Sequence, residues 1–185
     1  MSDELGGILL KIARGAIAQH LGQAAAQAPH HEALERPGAT FVTLTRGGEL
    51  RGCIGTLDAH RPLGVDVREN AIAAAFRDPR FPPLTAGELP GTRVEVSLLT
   101  EPQFLTFCDE ADALAQLRPQ VDGVILMHGC QRATFLPQVW ESLPEPRQFI
   151  AQLKRKAGLS PDLWDDAMML ARYEVTKWKE EPWPA

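Results

Sequence analysis

The run Leu50-Arg51-Gly52-Cys53-Ile54-Gly55 puts a thiol two positions from a guanidinium and sets it between glycines. A thiol beside a fixed cation has its thiolate favoured, which is the setting of a nucleophile or of a redox-sensitive group. Side chains alternate along a strand, so Arg51, Cys53 and Gly55 are expected on one face and Leu50, Gly52 and Ile54 on the other. Glycine weakens a strand and marks a bulge, a bend or a close approach by a ligand or another backbone. Gly52 and Gly55 therefore predict a hollow beside Cys53. The competing reading is a buried structural cysteine, with Arg51 pairing a carboxylate across the sheet, since free cysteines are among the most buried residues.

Other residues offer less. Glu95 and Ser97 alternate with apolar neighbours and share a face with Arg93, so they would supply a base and a hydroxyl only if that face borders Cys53. His128 and Cys130 form an H-x-C turn, but His20, His30, His31 and His60 offer no companions at metal-ligand spacing, and no metal is expected. The common nucleotide, zinc-protease and hydrolase signatures are missing, so no cofactor is expected. Lys154-Arg155-Lys156 reads as a solvated face near a helix C-terminus, where cations are favoured.

These residues need elements to hold them. Apolar positions Leu5, Ile8, Leu9, Ile12, Ala16, Ile17 and Leu21 recur at helical spacing, and Pro62 opens a second helix through Val67, Ala71, Ile72, Ala74, Ala75 and Phe76. Residues 41–45 and 50–57 flank Arg46-Gly47-Gly48-Glu49 as a β-hairpin. The stretch Asp78-Pro79-Arg80-Phe81-Pro82-Pro83-Leu84 is a rigid loop, because its prolines restrict themselves and their predecessors. Residues 92–100 alternate as a half-buried strand, and a short helix follows near 109–117. A second hairpin turns at His128-Gly129-Cys130-Gln131, a helix spans 146–157, and residues 173–178 form a last strand. Hairpins and meanders with interspersed helices predict an α+β fold, an antiparallel or mixed sheet flanked by helices, in a single domain over residues 1–185 with two unequal sub-lobes.

Composition narrows the function classes. A chain of 185 residues builds a core without disulfides or metals, and its 3 cysteines, spread apart and odd in number, suit a reducing compartment. A net charge of -5 excludes the long-range positive field that nucleic acid requires. No apolar run crosses a bilayer, and the acidic start Met1-Ser2-Asp3-Glu4 is unlike a secretory signal, so a cytoplasmic protein without a membrane partner is expected.

Taken in order, Leu50-Arg51-Gly52-Cys53-Ile54-Gly55, the loop 78–84, Val94-Glu95-Val96-Ser97-Leu98-Leu99, Thr134-Phe135-Leu136-Pro137-Gln138-Val139-Trp140 and Leu153-Lys154-Arg155-Lys156-Ala157-Gly158-Leu159 resemble the AMMECR family over nearly the whole chain. The resemblance implies an α+β domain of two unequal sub-lobes. It also implies a component of a three-part system beside a Memo-like protein and a radical S-adenosylmethionine protein. Carried over residue by residue, it points to Arg51, Gly52, Cys53 and Gly55, with Asp78, Arg80 and Phe81 on the loop. If the buried helix returns that loop to the sheet, Arg51, Cys53, Asp78 and Arg80 line one cleft, and the arginines hold a small anionic ligand. The alternative is that Asp78 pairs locally and Arg80 clamps the loop. Two functions stand at this point: a substrate- or partner-binding component of such a system, and a small enzyme with Cys53 as thiolate nucleophile.

Overall fold

The structure, a computed structural model, describes residues 2–181. In chain order the elements are α1 (Ser2–His20), β1 (Ala39–Arg46), β2 (Glu49–Gly55), α2 (Leu63–Phe76), β3 (Thr92–Leu99), β4 (Gln103–Phe104), α3 (Glu110–Ala115), β5 (Gly123–His128), β6 (Gln131–Phe135), α4 (Pro146–Lys156), β7 (Met168–Tyr173) and β8 (Val175–Lys179). The protein is α+β, and its strands form two sheets of four. The chain divides into two compact units, Met1–Leu99 with Thr176–Ala185 and Thr100–Val175. Among the described residues, no helix is long and apolar enough to cross a membrane.

In the first unit the sheet runs β2-β1-β3-β8. Gly47 and Gly48 join β1 to β2 with φ of 60° and 85°. A two-residue hairpin loop needs this left-handed pair to match the strand twist, and glycine adopts it without strain. One sheet face carries Val42, Leu44, Val94 and Val96, which pack with Leu9, Ala13 and Ile17 of α1 and Val67, Ala71 and Ala74 of α2. The 3.6-residue recurrence of apolar positions in α1 is what lets it lie along this face. α1 stops at Gly22, whose φ of 75° lets Gln23 N–H bond back to Ala18 O at 2.9 Å.

The second unit has the order β4-β7-β5-β6. Trp140 stacks on Phe149 of α4 with ring centroids 3.7 Å apart, above a core that includes Leu126, Leu153 and Leu170. Two sequence expectations change here. The last strand is two strands: β7 ends at Tyr173, and the chain passes through Glu174 into β8, which belongs to the other sheet. Lys154 is not part of a wet basic face, because it is 1% exposed. Its Nζ donates to Glu110 Oε1 at 3.0 Å and to Pro161 O at 3.2 Å, and sits 5.0 Å from the Trp164 ring. An ammonium stripped of water needs such partners, and α3 and the segment following α4 supply them, leaving Arg155 and Lys156 exposed.

Candidate functional site

β2 is an edge strand, and its register with β1 slips by one residue. Leu44 opposes Gly52 and Thr45 opposes Leu50, so Arg51 is the extra residue of a β-bulge. A bulge breaks strict alternation and re-aims a side chain. Arg51 donates from Nε and Nη2 to the Glu88 carboxylate at 3.1 and 3.3 Å, and its guanidinium lies 6.0 Å from the Phe81 ring. Arg51 does pair a carboxylate, but one from the turn before β3 and not from across the sheet. Glu88 also accepts from Thr85 N–H, Thr85 Oγ1 and Arg46. The Arg51 bonds, and after them the Thr85 amide, hold the Glu88 acid down to about 2 from its ordinary 4.5. A depressed acid contributes stability that is complete above the unfolded value and is lost as pH falls through the folded one. Chemical denaturation between pH 5 and pH 2 is therefore expected to show the wild type losing stability over this interval. Glu88→Gln should start less stable and decline more gently, and parallel curves would remove Glu88 from the balance.

The expected hollow beside Cys53 is filled. A Cβ on Gly52 would lie 3.0 Å from Ala74 C and closer still to its carbonyl oxygen, so this glycine admits the backbone of α2. A Cβ on Gly55 would overlap the ring of Phe41, its partner on β1. Both glycines answer to close approach, one by a helix and one by an aromatic ring.

Cys53 is half-buried. Its N–H donates to Asp78 Oδ2 at 2.9 Å, and its carbonyl accepts from Arg80 Nη2 at 3.3 Å. Asp78, 4% exposed, also accepts from Arg80 N–H at 3.1 Å, Nε at 3.0 Å and Nη2 at 2.7 Å. The Arg80 side chain, ahead of the opposing cost of desolvation and then the Cys53 and Arg80 amides, keeps the Asp78 acid well below the usual carboxylate range. The pair thus takes the place of a further strand, giving Cys53 one acceptor and one donor on the free edge of β2. The structure brings together Cys53, Asp78, Arg80 and Phe81, with Arg80 5.4 Å from the Phe81 ring. The proline-rich loop returns to α2 through Leu84 N–H, bonded to Ala75 O at 2.8 Å.

On the sulfur side, Thr43 Oγ1 donates to Cys53 Sγ at 3.3 Å. Thr43 opposes Cys53 on one flank and Glu95 on the other, so the three form one row across the sheet. Glu95 stands two strands from Cys53, about 10 Å at the usual strand spacing, and faces Lys179 Nζ at 3.7 Å. It shares the face of Cys53 without reaching the thiol.

A polar centre not anticipated from the sequence lies at the N-terminal end of α2. Asp66, 0% exposed, accepts from Thr40 N–H and Oγ1 at 2.8 and 2.7 Å, Thr56 Oγ1 at 2.6 Å and Arg61 Nε at 2.8 Å. Asn70 Nδ2 donates to Asp66 Oδ2 at 3.0 Å and Thr40 O at 2.9 Å. The network ties α2 to the start of β1 and the end of β2. Its signal was two polar residues at i and i+4 on the apolar stripe of Val67, Ala71 and Ala74. In the second unit, His128 Nε2 lies 3.0 Å from both Asp165 oxygens, while Cys130 is exposed. No group of three or more potential metal ligands occurs among the described residues.

The AMMECR1 family model matches residues 10–178. A protein of Methanothermobacter thermautotrophicus is 37% identical over 190 residues, spanning 98% of this chain and 97% of its own length. One from Thermotoga maritima is 38% identical over 150 residues, 80% of this chain and 81% of its own. The crystal structure of an uncharacterized protein from Pyrococcus horikoshii superposes with a TM-score of 0.82 at 32% identity, covering 96% of this chain and 92% of that one.

Proposed function

This chain belongs to the AMMECR1 family, and from that membership we propose that it is a substrate- or partner-binding component of a cytoplasmic system containing a Memo-like protein and a radical S-adenosylmethionine protein. One observation carries the reading. The polar groups nearest Cys53 are committed internally, Asp78 to Arg80 and to the Cys53 amide, and Arg51 to Glu88. These pairs make a rigid surface and leave no uncommitted acid or base for turnover, while the buried Nη1 of Arg51 has no hydrogen-bond partner. The surface offered is the guarded edge of β2, where Arg80 keeps 54% of its side chain exposed and is the cation for a small anionic group. Co-precipitation with the two suspected partners of the same organism is expected to retain at least one, and Arg80→Glu to release it. If the wild type retains neither, the reading fails.

A second reading has one observation in its favour: the Thr43 hydroxyl aimed at Cys53 Sγ, since a donor to sulfur stabilises the thiolate. In it, Cys53 is the nucleophile of a small cysteine-dependent enzyme acting on an anionic substrate. Alkylation by iodoacetamide well below the free-thiol range of about 8.5 would support it. A Cys53 inert until the protein unfolds would end it.

A further inference from the structure

α1 carries Gly7 and Gly15 eight residues apart, on the same face as Lys11. A helix glycine costs roughly 1 kcal/mol against alanine, and neither position repays it through packing. An added Cβ at Gly7 would meet nothing within 4 Å, and at Gly15 its nearest neighbour would be Ala25 Cβ at an ordinary 3.6 Å. By contrast, Gly6 makes room for the Trp178 ring. The segment 23–28, Gln-Ala-Ala-Ala-Gln-Ala, is rich in helix formers yet is not helical, and it lies over α1 beside Gly15.

Recesses open on both sides of this strap, one of about 730 Å³ and one of about 420 Å³, and Lys11, Gly15 and Ala25 border both. The larger falls within the range of small-molecule sites and is walled mainly by apolar groups, among them Leu10, Ala18, Leu89 and Pro90. Its Arg14 is fully engaged by the Glu180 carboxylate and the Leu89 and Thr92 carbonyls. The smaller is bordered by Lys11 and Arg68, with Gln19, and by no acidic residue. Lys11 and Arg68 are exposed and have no ion-pair partner among the described residues, in a chain of net charge -5.

We propose that the strap and α1 form a binding site for a single-chain fatty carboxylate, its acyl chain in the larger recess and its anionic head at Lys11, which borders both recesses, with Arg68 of the smaller one adding to the positive field. Apolar walls take the chain, and the unpaired Lys11 and Arg68 attract the head, the Glu180 carboxylate of the larger recess being held by Arg14. Calorimetric titration of the full chain with hexanoate, octanoate and decanoate, below micelle-forming concentrations, should show affinity rising about fourfold per methylene. Decyltrimethylammonium, with the same tail and the opposite head, should bind at least tenfold more weakly than decanoate. Lys11→Glu with Arg68→Glu should weaken decanoate by at least tenfold and leave the unfolding midpoint unchanged. Gly7→Leu should weaken decanoate while holding or raising the midpoint, because it adds helix propensity where the structure leaves space. Equal affinity for the two decyl compounds, affinity independent of chain length, full affinity in either variant, or no saturable binding of decanoate would each overturn the proposal.

Discussion

Gly52→Ala is expected to be the most damaging single-methyl change in the first unit, lowering its stability by about 3 kcal/mol or more. The new Cβ would sit against the Ala74 carbonyl, which is main chain within α2 and has no rotamer to change. Relief requires moving α2 off the sheet, and α2 carries Val67, Ala71 and Ala74 into the core and Asp66 and Asn70 into the buried polar network. Gly52 does not have positive φ, so the loss comes from contact and not from backbone strain. Gly55→Ala is the informative comparison, because its obstacle is the Phe41 ring, and Phe41→Ala should recover part of the loss there and none at Gly52. Urea denaturation of the three single variants and the two doubles measures this. An unchanged midpoint for Gly52→Ala would mean that α2 is not seated against β2 as described.

Asp78→Ala is expected to cost about 3 kcal/mol at neutral pH. It removes the acceptor of the Cys53 amide and the anchor of Arg80 in one step. Hydrogen bonds to a charged acceptor contribute about 1.5–3 kcal/mol each, and the total is held down because the half-exposed Arg80 recovers water once released. The Asp78 acid is depressed in the folded protein, so its contribution is complete above the ordinary carboxylate value of 3.8 and disappears as pH falls below it. Wild type and Asp78→Asn should therefore differ most near neutrality and converge in strong acid. A difference that grows on acidification would reverse the assigned sign. Hydrogen exchange at the Cys53 amide gives a local check, and it should quicken in Asp78→Ala beyond what the global loss of stability explains.

Much of this arrangement was legible in the residues. The Gly47-Gly48 turn, the periodic α1, the proline-locked loop and the two hairpins follow from local conformational limits, which act whatever the rest of the chain does. A bulge is one of the meanings of the strand glycines, but its position at Arg51 was not legible, because register is settled between strands and neither strand announces a slip. The glycines predict a hollow beside Cys53, whereas their space is taken by the α2 backbone and by Phe41, elements remote in sequence or on the neighbouring strand. β7 escaped notice because Met168-Met169-Leu170-Ala171-Arg172-Tyr173 is rich in good helix formers, and its strand character comes from pairing with β5. The burial of Lys154 was likewise hidden, since the Glu110 and Pro161 groups that accept its protons lie 44 and 7 residues away.

The passage of the chain through Glu174 from β7 into β8 sets an order of events during translation. The first sheet has its strands β1, β2 and β3 as soon as residue 99 is made, but β8 arrives only after the whole of Thr100–Val175 has been synthesised. At typical elongation rates of about 5–20 residues per second, β3 waits several seconds for its neighbour on the ribosome. During that wait its outer edge is open to wrong pairing, and a chaperone or a slow codon would have the most effect in that interval.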